Sequence, residues 1–102
     1  MCGIAGFVTR DADFDLLLKG LGDAADCIRH RGPDDSGTWT DRPRIGLAHR
    51  RLSILDLSPL GHNPMWSADR RLVMVYNGEV YNFAGIKREL AQLGHTFRGS
   101  GD

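Results

Sequence analysis

The sequence carries no surplus of either charge: thirteen basic and thirteen acidic side chains cancel over 102 residues. No overall field therefore draws the chain to nucleic acid or to an anionic membrane. Long apolar runs are missing as well. Nothing approaches the roughly 18 residues needed to span a bilayer, and the N-terminus lacks the basic stretch and apolar core of a secretion signal. A soluble, cytoplasmic protein is expected, with no nucleic-acid or membrane partner. Cysteine is scarce, and without a secretion signal Cys2 and Cys27 are expected to remain reduced. Repeats, linkers and low-complexity stretches are absent. A chain of 102 residues makes one domain or part of one, with a core of modest size.

One of those two cysteines organises the reading of everything else. Cys2 would become the first residue if Met1 were removed, and it would then carry a thiol and a free α-amine together. The reference pKa of an α-amine, about 7.7 to 8.0, leaves an unprotonated fraction near neutrality. One residue could thus supply nucleophile and base, the amine taking the thiol proton as sulfur attacks a carbonyl and later returning it to the leaving group. Gly3 would let substrate or another backbone approach the thiol, and residues 4–8 form an apolar run short enough for a buried strand. The competing reading is an inert, small apolar residue near a chain end.

Further along, residues 9–13 form a polar connector. Phe14, Leu17, Leu18, Leu21, Ala25 and Ile28 then recur at helical spacing, with Asp13 as a candidate cap. Gly20 and Gly22 suggest close packing of this helix, and Cys27 beside its stripe reads as a buried packing residue. The loop 29–37, Arg-His-Arg-Gly-Pro-Asp-Asp-Ser-Gly, stops the helix. Its basic trio could hold an anion or simply complement the helix dipole. Residues 37–57 predict a hairpin of two or three strands turning near 41–44, with Ile45 and Leu47 on one face. Residues 60–66 read as irregular and 72–76 as a strand. Asn77-Gly78 is a strong hairpin signal, which would pair 72–76 with Val80-Tyr81 and leave Glu79 merely exposed. Asn82 is a candidate cap for a helix carrying Phe83, Ile86, Leu90 and Leu93, Gly94 is its stop, and 96–98 would start another strand. No closing element precedes Asp102, so the domain is expected to continue beyond it.

Four segments occur in a telling order: Cys-Gly-Ile-Ala-Gly-Phe from residue 2, Arg-His-Arg-Gly-Pro-Asp-Asp-Ser-Gly from 29, His-Arg-Arg-Leu-Ser-Ile-Leu-Asp from 49, and Tyr-Asn-Gly-Glu-Val-Tyr-Asn from 76. Together they resemble the glutaminase domain of the asparagine synthetases, a class II glutamine amidotransferase of the N-terminal nucleophile hydrolase group, over the whole chain. The resemblance implies an α+β fold, a four-layer αββα sandwich with antiparallel sheets between helices, present here in part. It also implies a role for particular residues. Cys2 matches the nucleophile, and Asn77 and Gly78 match the oxyanion hole, whose donors face the oxygen that gains charge. Arg51 matches the group that grips the substrate α-carboxylate, for which a planar fork is well suited. Glu79 and Asp102 match the acids that receive the α-ammonium.

By the same resemblance the substrate is glutamine, hydrolysed to glutamate and ammonia through a γ-glutamyl thioester. The ammonia is destined for the protein's own C-terminal synthetase domain, which uses ATP and magnesium to activate aspartate. No cofactor and no metal are expected in these residues themselves, and no Gly-rich phosphate loop occurs in them. Homo-oligomers are possible. Other readings remain open: a class II amidotransferase with another acceptor, an inactive scaffold domain, or a zinc or thiol module built from Cys2, Cys27, His30 and His49.

Overall fold

Alternation settles the first strand. In β1, Gly3–Val8, the side chains of Ala5 and Phe7 point to one face and Ile4 and Val8 to the other. The computed structural model describes residues 1–10 and 13–102, so Asp11 and Ala12 of the expected connector lie outside the described residues. β2, Asp35–Asp41, and β3, Ile45–Arg51, form an antiparallel hairpin closed by Arg44 N–H donating to the Asp41 carbonyl, at 2.9 Å. β1 pairs antiparallel with the far side of β3, from Gly3 opposite Arg50 to Val8 opposite Ile45, giving a sheet of order β1-β3-β2. No strand continues the hairpin past Arg51.

The two faces of β3 carry different loads. Gly46, Ala48 and Arg50 face α1, Phe14–Cys27, whose buried Phe14, Leu21 and Ala25 fall on one stripe. Asp13 caps this helix as its sequence predicts, Oδ1 accepting from the N–H groups of Asp15 and Leu16. Ala48 is fully enclosed between Leu21 and Ala25, and Phe7 meets Phe14 edge to face at 5.4 Å. Gly46 is needed here, since a Cβ would stand 2.5 Å from the Phe7 ring and 3.0 Å from Leu21. Arg50 runs out along the helix to the Ala25 carbonyl, 3.0 Å away, and pairs with Asp26, placing a cation at the helix C-terminus.

Ile45, Leu47, His49 and Arg51 face the other way, in accord with the expected shared face of Ile45 and Leu47. That face meets a short antiparallel pair, β4, Met65–Trp66, and β5, Val73–Met74, through the edge-to-face contact of Trp39 with Trp66 at 5.9 Å. β5 therefore pairs with β4, and the expected hairpin of 72–76 with Val80-Tyr81 does not form. β5 ends at Met74 and no strand follows before α2, so the Asn77-Gly78 turn has no strand directly on either side of it. Helix α2, Phe83–Gln92, starts at Asn82, though no side-chain cap bond forms, and ends at Gly94 with φ +91°, where glycine avoids a Cβ clash. The result is a mixed α/β structure of antiparallel sheets and helices.

Several expectations are corrected. Cys27 is exposed rather than buried, since it lies about 200° around the helix from Ala25. Gly20 and Gly22 open onto space, with nothing within 4 Å of a Cβ at either. Residues 96–98 do not form a strand, for no described strand pairs with them. β1 is covered on one face only, leaving Ile4 and Val8 exposed. Among the described residues no helix is long and apolar enough to cross a membrane.

Leu21 carries the core and Leu16 does not, although both lie on α1 (4% against 67% exposed). Thermal or urea unfolding of Leu21→Ala should show a loss of about 2 to 4 kcal/mol, and Leu16→Ala a change below about 0.5 kcal/mol.

Candidate active site

β1 and β3 bring the N-terminal thiol to the exit of β3. Carrying the Gly3–Arg50 register one residue outward sets Cys2 opposite Arg51, and the Leu52 N–H donates to Cys2 Sγ at 3.3 Å. The Leu52 carbonyl lies 3.7 Å from the same sulfur, able to accept from the S–H. Arg31 Nε donates to the Cys2 carbonyl at 3.1 Å, so one member of the basic trio fixes the backbone of Cys2, while Arg29 and His30 are exposed. Gly3 turns toward α1, where a Cβ would sit 2.9 Å from Ile28, so its small size serves packing.

Arg51 is buried, and its guanidinium is met by carbonyls: one Nη donates to Ser58 at 2.8 Å and the other to Asp56. Of five N–H donors the remaining three are unspoken for by these carbonyls. Gly61 packs flat on this fork, and any Cβ there would collide with it. Asp34 stitches the neighbouring loop to the same exit, its N–H donating to the Arg51 carbonyl at 3.0 Å and its Oδ2 accepting from Ser53 N–H at 2.8 Å. Arg51 lines an open cleft of about 760 Å³ together with Asp34, Asp35, Ser53, Ser58 and His62; Cys2 is not among the lining residues.

Two residues before Arg51, on the same face of β3, His49 is 2% exposed. Its Nε2 lies 2.9 Å from the Tyr76 carbonyl, which can only accept, so the proton sits on Nε2. This bond tethers the residue that precedes Asn77 to β3. Asn77, Gly78 and Glu79 are all exposed, and a Cβ at Gly78 would stand 2.8 Å from the Tyr76 hydroxyl, which folds over it. Asp102 reaches the same turn: its Oδ2 accepts from the Val80 N–H at 2.6 Å, beside Glu79. Cys2 and Arg51 thus share the exit of β3, Asn77 and Gly78 are tied to that strand through Tyr76, and Asp102 docks next to Glu79.

Sequence reasoning passed over Asp56 and Ser100 as parts of this assembly, and offered His49 as a candidate zinc ligand. Asp56 had a local signal in Asp-Leu-Ser, an Asx-turn pattern that its bond from Ser58 N–H bears out at 2.8 Å. His49 stood out as a polar residue in step with Ile45 and Leu47. Ser100 had none. The zinc alternative finds no support, because among the described residues no three His, Cys, Asp or Glu side chains gather closely enough to hold a metal.

A family model for the glutamine amidotransferase domain matches residues 1–102. The chain belongs to this family. Among similar proteins, a Bacillus subtilis asparagine synthetase [glutamine-hydrolyzing] is 39% identical over 100% of this chain and 13% of its own length. A Gibberella zeae protein named amidase chry2 is 39% identical over 89% of this chain and 15% of its own length. A putative asparagine synthetase [glutamine-hydrolyzing] of Methanocaldococcus jannaschii is 36% identical over 87% of this chain and 20% of its own length. The chain spans no more than about one fifth of these curated relatives.

Burial holds the His49 pKa below 6.5, against the Tyr76 bond and Asp35, which favour the proton, and with His62 and Arg51, which oppose it. An unfolded His49 takes up a proton more readily than the folded one, so stability is full above about pH 6.5 and is lost as pH falls below it. Asp35 and Asp56 act in the same direction in a lower window: burial disfavours the Asp35 charge, but the His62 and Ser36 bonds and the His62 and Arg51 charges together outweigh it, both carboxylates ionise below their ordinary 3.8, and the stability they add is lost as pH falls below that value. Melting curves from about pH 8 to 5 should show Tm falling through the mid-6 range, and His49→Gln should flatten that slope. An unchanged slope would assign the effect to other histidines.

Proposed function

We propose that the chain is the N-terminal part of a glutaminase domain that converts glutamine to glutamate and ammonia through a γ-glutamyl thioester on Cys2. The observation that carries this reading is the meeting of the thiol and the arginine fork at one strand exit. The thiol precedes β1, the arginine fork ends β3, and the Asn77-Gly78 turn is bound to β3 through His49. In this reading the Arg51 donors left over from the two carbonyls receive the substrate α-carboxylate, and Glu79 and Asp102 receive the α-ammonium. Reading both charged ends delivers the side-chain amide to the thiol, which selects glutamine over a generic amide.

The chemistry follows from those positions. While Met1 is attached, the Cys2 nitrogen is a peptide amide without basicity; its removal frees the amine that serves as base. Met1 is 73% exposed, so losing it sacrifices little packing. The thiolate adds to the carboxamide carbon, and the oxygen that gains charge is met by the Asn77 side-chain amide and the Gly78 N–H. Ammonia leaves with the proton that the amine returns, and water then cleaves the thioester to glutamate.

On the same reading, α1, the three-stranded sheet and the β4-β5 pair form part of a four-layer αββα sandwich of the N-terminal nucleophile type. The whole protein is cytoplasmic and passes ammonia to a C-terminal synthetase domain that uses ATP and magnesium on aspartate, and it can assemble as a homo-oligomer. The relatives named as glutamine-hydrolysing asparagine synthetases support that acceptor. The amidase among the relatives favours a second reading, the same glutaminase chemistry serving a different acceptor.

Cys2→Ala should abolish glutamine hydrolysis in the full-length protein while synthesis from free ammonia continues; retained hydrolysis would end the nucleophile assignment. Asn77→Ala should lower kcat by roughly 10² to 10³. Arg51→Ala should act mainly on KM, by leaving a carboxylate unpaired. Were Asn77→Ala to change KM alone, the oxyanion role would be wrong.

A further inference from the structure

We infer that Asp56 is a positioning residue for the amino-acid site, its carboxylate fastening the segment that carries Asp102 to the turn that holds the Arg51 guanidinium. This inference rests on the glutaminase reading above, which assigns Arg51 and Asp102 to opposite ends of the substrate. Asp56 reaches three ways. Its carbonyl accepts from Arg51. Its Oδ1 accepts from Ser58 N–H at 2.8 Å, closing the turn whose Ser58 carbonyl also accepts from Arg51. Its Oδ2 accepts from both the N–H and the hydroxyl of Ser100, at 2.9 and 3.2 Å, a partner 44 residues further along the chain.

The approach of that distant segment is built in. A Cβ at Gly99 would stand 3.1 Å from Asp56 Oδ2, and one at Gly101 would stand 3.5 Å from the Asp56 Cβ, so the backbone passes close against the carboxylate. Two residues beyond Ser100, Asp102 accepts from Val80 beside Glu79. Asp56 thus joins the turn that holds the Arg51 guanidinium to the segment that ends at Asp102. The carboxylate and ammonium of an α-amino acid are separated by a single carbon, so the groups that read them must keep a fixed spacing, and a displacement of about 1 Å is costly.

The choice of carboxylate also has a reason. Three donors converge on two oxygens, and an ionised carboxylate accepts all of them, whereas an amide offers one acceptor oxygen and turns an NH₂ toward the remaining donors. Hydrogen bonds from Ser58 and Ser100 hold the Asp56 pKa well below the usual carboxylate range, consistent with a charged anchor.

The test compares two alkylating reagents on Cys2 of the full-length protein: iodoacetamide, which has no amino-acid ends, and a chloromethyl ketone bearing the α-amino and α-carboxylate groups at glutamine's length. The rate ratio, ketone over iodoacetamide, reports end recognition independently of thiol reactivity. Asp56→Ala should lower it by about tenfold or more, the equivalent of one charge-assisted hydrogen bond. Asp56→Asn, which keeps the shape, should fall in between, and Ser100→Ala should act in the same direction more weakly. A ratio within about twofold of native in folded Asp56→Asn and Asp56→Ala would overturn the inference. So would equal slowing of both reagents, which would mark a general structural role. If the native protein itself showed no preference for the ketone, the glutaminase reading would fail and the positioning role with it.

Discussion

Arg51 is 8% exposed, and a guanidinium cannot leave water without acceptors to replace it. That requirement shapes the exit of β3. The chain turns back at 56–58 to present the Asp56 and Ser58 carbonyls. Gly61 gives the fork room, because a side chain there would occupy the guanidinium's own space. Asp34 binds the Arg51 carbonyl and the Ser53 N–H, holding the strand end against the preceding loop. Gly32 lies against the Arg50 backbone so closely that no Cβ fits. A cation is thereby held where the N-terminal thiol arrives, with part of its donor set still available.

The sheet divides its labour by alternation. One face of β3 carries Gly46, Ala48 and Arg50 against α1 and supplies the buried apolar core. The other carries His49 and Arg51, both buried and both polar; His49 reaches the segment that bears Asn77 and Gly78, and Arg51 reaches the turn at 56–58. The apolar core and the proposed chemistry are thus fixed to the same strand without sharing side chains. A core mutation in α1 should then be felt as lost stability, whereas changes on the His49 face alter loop placement first.

What could be read from sequence follows the same division. The α1 stripe and its Asp13 cap were legible because periodicity and capping act within a few residues. The hairpin of β2 and β3 was legible for a similar reason, since its turn is local. The β4-β5 pair was not, for two residues per strand cannot establish a period. The competing reading of Asn77-Gly78 as a hairpin turn fails because β5 stops at Met74 and no strand follows to return along it. Cys2, Arg51, Asn77, Gly78, Glu79 and Asp102 were singled out by motif and resemblance, which name residues without giving the contacts that hold them. Asp56 and Ser100 escaped because their bond joins segments 44 residues apart, and neither end advertises the other.

The central claim is that the Cys2 sulfur carries the glutamyl group, and it is tested most directly by trapping that species. Full-length protein lacking Met1 would be mixed with glutamine, quenched in acid during turnover, digested and examined by mass spectrometry. The account predicts one γ-glutamyl group on the peptide that begins at Cys2, sensitive to hydroxylamine as a thioester is and absent when glutamate replaces glutamine. Glutamine turnover with no such adduct under rapid quenching, or an adduct mapped to Cys27, would contradict it.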